Sequence, residues 1–174
     1  MIAAVCLVLL VLAPRLAGSE DPFKALDLIK PAKVKPAREF TVPAPDGRAL
    51  RLADYRGKVV FLNFWATWCP PCREEMPGME RLYQRFKDQG FVVLAVSIDA
   101  EGGDVVTAFV TEHRLTYPIG LDPKMALAGQ YGVRALPSSF LVDRRGRLVA
   151  LATGPREWDS EAAHALIETL LKQR

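Results

Sequence analysis

Val59-Val60-Phe61-Leu62-Asn63-Phe64-Trp65-Ala66-Thr67-Trp68-Cys69-Pro70-Pro71-Cys72-Arg73-Glu74-Glu75-Met76-Pro77 runs without interruption from an apolar block into two cysteines separated by two prolines. Val59 to Phe64 has the near-continuous apolar pattern of a strand covered on both faces in a parallel sheet. From Pro71 to about Lys87 the spacing is helical, and Phe91 to Val96 repeats the buried-strand pattern. Strand, helix, strand in that order predicts a right-handed crossover. Cys69 then stands at the helix N-terminus, where unpaired N–H groups and the positive dipole end favour thiolate over thiol. It is the expected nucleophile, exposed at that end. Cys72, one turn further on, can reach the Cys69 sulfur and resolve a mixed disulfide internally. Pro70 and Pro71 fit the first turn, where a missing N–H breaks no helical bond.

Working outward, Phe40 to Pro43, the turn Asp46-Gly47 and Ala49 to Leu52 read as a hairpin. After the crossover come a helical stretch at Asp104 to about Glu112 and a short helix opened by Asp122-Pro123. Ser139 to Val142, the turn Asp143 to Gly146, and Leu148 to Leu151 form an antiparallel hairpin. A last helix begins near Ser160, with Ala163, Leu166, Ile167 and Leu170 on its buried face.

The N-terminus reads differently. Ile2 to Ala13 is an unbroken apolar run, followed by Pro14, Arg15 and small residues up to Ser19. At ~1.5 Å per residue it covers about 18 Å of a roughly 30 Å hydrocarbon core, which favours a cleaved signal over a membrane anchor. Residues 1–18 are therefore expected to be a signal peptide or N-terminal anchor, and 19–37, with its alternating bases and prolines, an extended solvated tether. The folded domain is expected to span 38–174.

Composition narrows the function. The chain has 174 residues, 50% of them hydrophobic and 25% charged, which is globular composition with room for one ordinary domain. A net charge of +3 is too slight to announce a nucleic-acid partner. Three cysteines do not make a stapled scaffold. A structural zinc site would need two more ligands, and beyond Cys69 and Cys72 only His113, His164 and Cys6 remain, so no metal is expected. A copper carrier using the two thiolates and a histidine meets the same objection, since both histidines read as helix-end or surface residues. A purely structural Cys69–Cys72 disulfide would constrain little chain. A peroxiredoxin needs Thr three residues before its peroxidatic cysteine, and the residue three before Cys72 is Cys69. Redox exchange at a dithiol takes the remaining weight.

Phe61 to Pro77, together with Gly132-Val133-Arg134-Ala135-Leu136-Pro137-Ser138-Ser139-Phe140-Leu141-Val142-Asp143-Arg144-Arg145-Gly146, the N-terminal hairpin and the helical insert near 104–112, resembles the TlpA/ResA/CcmG-like thiol-disulfide oxidoreductases of the thioredoxin fold. The resemblance covers nearly all of 38–174. It implies an α/β fold with a mixed central sheet flanked by helices, a reversible Cys69–Cys72 disulfide, and a cis peptide bond before Pro137 packed beside it. It also implies work outside the cytoplasm: supplying electrons to oxidised thiols of exported proteins, the haem-attachment cysteines of apocytochrome c among them, with a membrane electron donor of the DsbD/CcdA type and no cofactor. A disulfide-forming oxidase of the same fold is the alternative. Trp68, Pro70, Pro71, Leu136 and Pro137 are the expected substrate contacts, Leu136 through its backbone. Ser138 stands where the family usually has Thr, and Asn63 where cytoplasmic thioredoxins carry an Asp.

Since Asn63 cannot carry a proton at neutral pH, another acid is needed. Positions 75, 79, 82 and 86 share one helical stripe, which places Glu75 with Met79, Leu82 and Phe86 facing the core. Glu74 falls with Arg81 and Arg85 on the solvated side. Cys72 precedes Glu75 by three, so thiol and carboxyl lie on the same side of the helix. The family's acidic position coincides with Glu75.

Overall fold

The computed structural model describes residues 21–173, so the expected signal or anchor at 1–18 lies outside the described residues. The first described elements are helix α1 (Pro22–Ala25), strand β1 (Lys35–Pro36) and the hairpin β2 (Thr41–Pro43) and β3 (Ala49–Arg51). The crossover follows as β4 (Val59–Trp65), α2 (Pro70–Phe86) and β5 (Phe91–Ser97). Next come α3 (Gly103–Glu112), β6 (Ile119–Leu121) and α4 (Ala126–Tyr131), then the hairpin β7 (Ser138–Val142) and β8 (Arg147–Thr153), and finally α5 (Glu161–Lys172).

Six strands form one sheet in the order β1-β8-β7-β4-β5-β6, with β4, β5 and β6 parallel and β7, β8 and β1 antiparallel. It is the mixed thioredoxin-like sheet. Every residue of β4 and β5 is buried, as their unbroken apolar runs require when helices cover both faces. The two-residue alternation of β4 sorts its contacts. Phe61, Asn63 and Trp65 share one face, where they meet Trp158, Glu75 of α2 and Phe109 of α3. Phe64, on the other face, packs against Tyr131 of α4. Helix α5 is capped by the Ser160 hydroxyl, which accepts from Ala163 N–H, and buries Ala163, Leu166, Ile167 and Leu170.

Two expectations need correction. The stretch 19–37 is not an extended solvated tether where it is described. Leu26 enters the core, Ile29 and Leu151 exchange backbone hydrogen bonds at 2.8 and 3.0 Å, and β1 pairs with β8. Sparse apolar residues hid this, because one buried leucine and a line of backbone bonds suffice to dock it. The fourth helix starts at Ala126 and not at Pro123, since Met125 adopts a left-handed φ of 53°; the Asp122 carboxylate still caps it, accepting from Ala126 and Ala128 N–H at 2.8 Å. Strand β6 has no counterpart among the sequence expectations, being three residues long and too short to show a pattern.

Strand β6 lets the N-terminal hairpin reach the main sheet. A methyl group on Gly120 would come within 2.7 Å of Val42 Cγ2 and 3.1 Å of Leu50 Cδ2. Gly120→Ala is therefore expected to destabilise the fold by about 1–2 kcal/mol through overpacking, read as a lower denaturant midpoint at unchanged slope.

Candidate active site

Cys69 occupies the N-cap of α2 and is joined to Cys72 by a disulfide, with Cα atoms 5.4 Å apart. Cys72 is fully buried, and Cys69 is only 5% exposed, contrary to the open position expected of it. Residues from elements remote in sequence gather beside it. A groove of about 630 Å³ has Trp68, Cys69, Ile98, Met125, Val133 and Leu136 in its wall. Trp68, 62% exposed, and Met125 stand at its edge. Pro70 is exposed, Pro71 half-buried and Leu136 half-buried, while Pro137 is buried behind a cis Leu136–Pro137 bond. The structure thus brings Trp68, Cys69, Pro70 and Leu136 to one groove, with Pro137 adjoining it in the chain.

A buried carboxylate that the sequence reading passed over holds the approach to Cys69. Asp99, just after β5, accepts from Thr67 N–H at 3.0 Å, from the Thr67 hydroxyl at 2.6 Å and from the Ser97 hydroxyl at 2.7 Å. Cys69 N–H closes the same turn on Ala66 O at 3.1 Å. A polar pair ending an otherwise apolar strand, Ser97 and Asp99, was the available signal.

Glu75 lies where the helical stripe puts it, buried with Met79, Leu82 and Phe86, while Glu74 is exposed. Its Oε1 accepts from Asn63 Nδ2 at 2.9 Å; its Oε2 accepts from Trp158 Nε1 at 2.9 Å and Arg156 N–H at 3.2 Å. Asn63 also donates to the Ser139 hydroxyl across the β4–β7 register, at 3.0 Å. Burial pushes the Glu75 carboxyl from 4.5 up to about 7, and the three donors together with the Arg156 charge pull back against it. Trp158, Arg156 and Ser139 went unrecognised in the sequence. A second cleft, of about 610 Å³, has Glu75 in its wall with Gly78, Arg81, Arg156, Trp158 and Asp159, and shares no residue with the groove at Cys69. Among the described residues no group of three or more His, Cys, Asp or Glu converges as a metal site.

A two-cysteine couple at a helix N-terminus, a buried acid that changes charge near neutrality one turn behind it, and an apolar groove leading to the outer sulfur are the parts of a thiol-disulfide exchange site. Known proteins are similar to this chain over most of its length. The AhpC/TSA family model matches residues 34–151. The thiol-disulfide oxidoreductase ResA of Bacillus thuringiensis is 42% identical over 121 residues, 69% of this chain and 69% of that protein. A crystal structure assigned as the thiol:disulfide interchange protein DsbE of Chlorobium tepidum superposes with a TM-score of 0.73 at 37% identity, covering 80% of this chain and 97% of that one. A secreted thiol-disulfide isomerase from Corynebacterium glutamicum gives 0.74 at 26% identity, over 84% and 92%. The chain belongs to the AhpC/TSA family, as a thioredoxin-fold thiol-disulfide oxidoreductase of the ResA and DsbE kind.

Proposed function

We propose that this protein reduces disulfides of exported proteins outside the cytoplasm, with Cys69 attacking, Cys72 resolving and Glu75 carrying the proton. The Cys69 thiolate attacks a substrate sulfur, forming a mixed disulfide and releasing one substrate thiol. Cys72 gives its proton to Glu75 and attacks Cys69, which breaks the intermolecular bond, frees the second substrate thiol and leaves the Cys69–Cys72 disulfide. Two electrons pass from the protein to the substrate. A thiol donor in the membrane, of the DsbD/CcdA type, returns them. Trp68, Pro70, Pro71, Leu136 and Pro137 receive the substrate chain, and apocytochrome c with its haem-attachment cysteines is the substrate we name.

The observation that carries the reading is Glu75, a buried carboxyl one helical turn from a buried thiol and poised near neutrality. The apolar run Ile2 to Ala13 and the secreted relative support the location; no described helix is long and apolar enough to cross a membrane. The direction of electron flow is tested by the reduction potential of the couple. A value toward the roughly −270 mV of thioredoxin is expected, and one toward the roughly −120 mV of DsbA would make the protein an oxidase.

Glu75→Gln is expected to keep the fold and disulfide but to slow exchange and lower the apparent pKa of the reduced thiols, because a neighbouring carboxylate disfavours a second negative charge. Glu74→Gln is expected to do little. The stability profile gives a second readout. With Glu75 titrating at 4.5 unfolded and about 7 folded, the folded state binds the extra proton between those values. Its contribution of about 3 kcal/mol is fully present below pH 4.5 and lost as pH rises through 7. Denaturant stability measured across that window should fall in the wild type and stay flatter in Glu75→Gln. Wild-type exchange rates for Glu75→Gln from pH 5 to 9 would remove Glu75 from the mechanism.

A further inference from the structure

Arg156 lies in the irregular stretch between β8 and α5, and its guanidinium is spent on carbonyl oxygens. Nε donates to Leu26 O at 2.7 Å, Nη2 to Asp27 O at 3.1 Å, and Nη1 to Pro155 O at 2.9 Å. Its own backbone N–H is one of the three donors on Glu75, and Trp158 N–H closes a turn on Arg156 O at 3.0 Å. One side chain therefore bolts the N-terminal stretch to the loop that holds the buried acid. The accompanying contact of Arg156 Nη2 with Asp27 Oδ2, 3.2 Å long with the Asp27 side chain 95% exposed, adds little. The part-buried bond to Leu26 O, the shortest of these, does most of the fastening.

We propose that Arg156 is a positioning residue for Glu75, and that the docked stretch Leu26–Ile29 is what keeps Arg156 in place, so the N-terminal segment is a working part of the active site. The proposal rests on Glu75 as the proton carrier. If the stretch leaves, the fork of N–H donors loses its carbonyls and turns to water, and the loop slackens. The Arg156 N–H bond to Glu75, the longest of the three, is lost first. The charged and titratable groups around Glu75 are Cys72 on its own helix, Arg156 from the loop, the Tyr117 hydroxyl ahead of β6, and Glu74, Glu157 and the Arg81–Asp159 pair around the cleft. Arg156 is the cation among these whose backbone also touches the carboxyl.

Two full-chain variants test this. Leu26→Asp undocks the stretch from its side, and Arg156→Gln removes the fork while keeping a backbone N–H at position 156. In both, the Glu75 side-chain carbon followed by carbon-13 NMR is expected to titrate higher by about half a pH unit or more, as a carboxylate does on losing donors and a nearby cation. The pH optimum of exchange moves up with it, and circular dichroism stays that of the folded protein. Unshifted midpoints in both variants overturn the proposal, leaving Arg156 a purely structural clasp. A shift with Arg156→Gln alone overturns the part assigned to the N-terminal stretch. Glu75→Gln separates the two readings: if it leaves the exchange profile unchanged, the proton-carrier role fails, whereas if it alters the profile and neither variant moves the midpoint, only the positioning role of Arg156 fails.

Discussion

Cys72→Ser accumulates covalent complexes with disulfide-bearing substrates, and Cys69→Ser accumulates none. Only Cys69 has surface to offer, sitting at the helix N-terminus on the floor of the groove, whereas Cys72 has none. Removing Cys72 leaves attack intact and abolishes resolution, so the mixed disulfide persists until an outside thiol cleaves it. Removing Cys69 leaves a sulfur that a substrate cannot reach, and turnover drops to the uncatalysed rate. Non-reducing electrophoresis after incubation with an oxidised substrate displays the difference. Complexes formed by Cys69→Ser and absent from Cys72→Ser would reverse the assignment of nucleophile and resolving thiol.

Trp158→Ala carries the largest expected loss of stability, about 3–5 kcal/mol. The ring is almost wholly buried, packs on Phe61 with centroids 4.5 Å apart, and satisfies Glu75 through Nε1. Trp158→Phe divides those roles. It keeps most of the packing and removes the donor, so the Glu75 carboxyl is expected to titrate above about 7 while the protein stays folded at neutral pH. Denaturant unfolding of both variants and a carbon-13 titration of the Phe variant check this. A Phe variant with an unshifted Glu75 would show that Nε1 does not hold the charge.

What could be read from the sequence was what repeats at short range. The strands β4 and β5 announced themselves by unbroken apolar runs, and the stripe through Glu75, Met79, Leu82 and Phe86 correctly placed the acid inward and Glu74 outward. The buried face of α5 followed from the same arithmetic. The partners of Glu75 did not, because Arg156 and Trp158 lie 81 and 83 residues away and no period links them to it. Cys69 looked open for a related reason: the residues at 98, 125 and 136 that line its groove come together with it only when the sheet is assembled. Asp99 was hidden by the ordinary habit of polar residues at strand ends, although it fixes the turn before the nucleophile.

The docking of 21–37 also bears on reach. Fully extended, that stretch would span roughly 55 Å at about 3.3 Å per residue, enough to let the domain sweep a wide volume around any point where the chain was held. Pinned along β8 and α5, it supplies none of that slack. The direction in which Trp68 and the groove face is therefore fixed relative to residue 21, where the docked stretch begins.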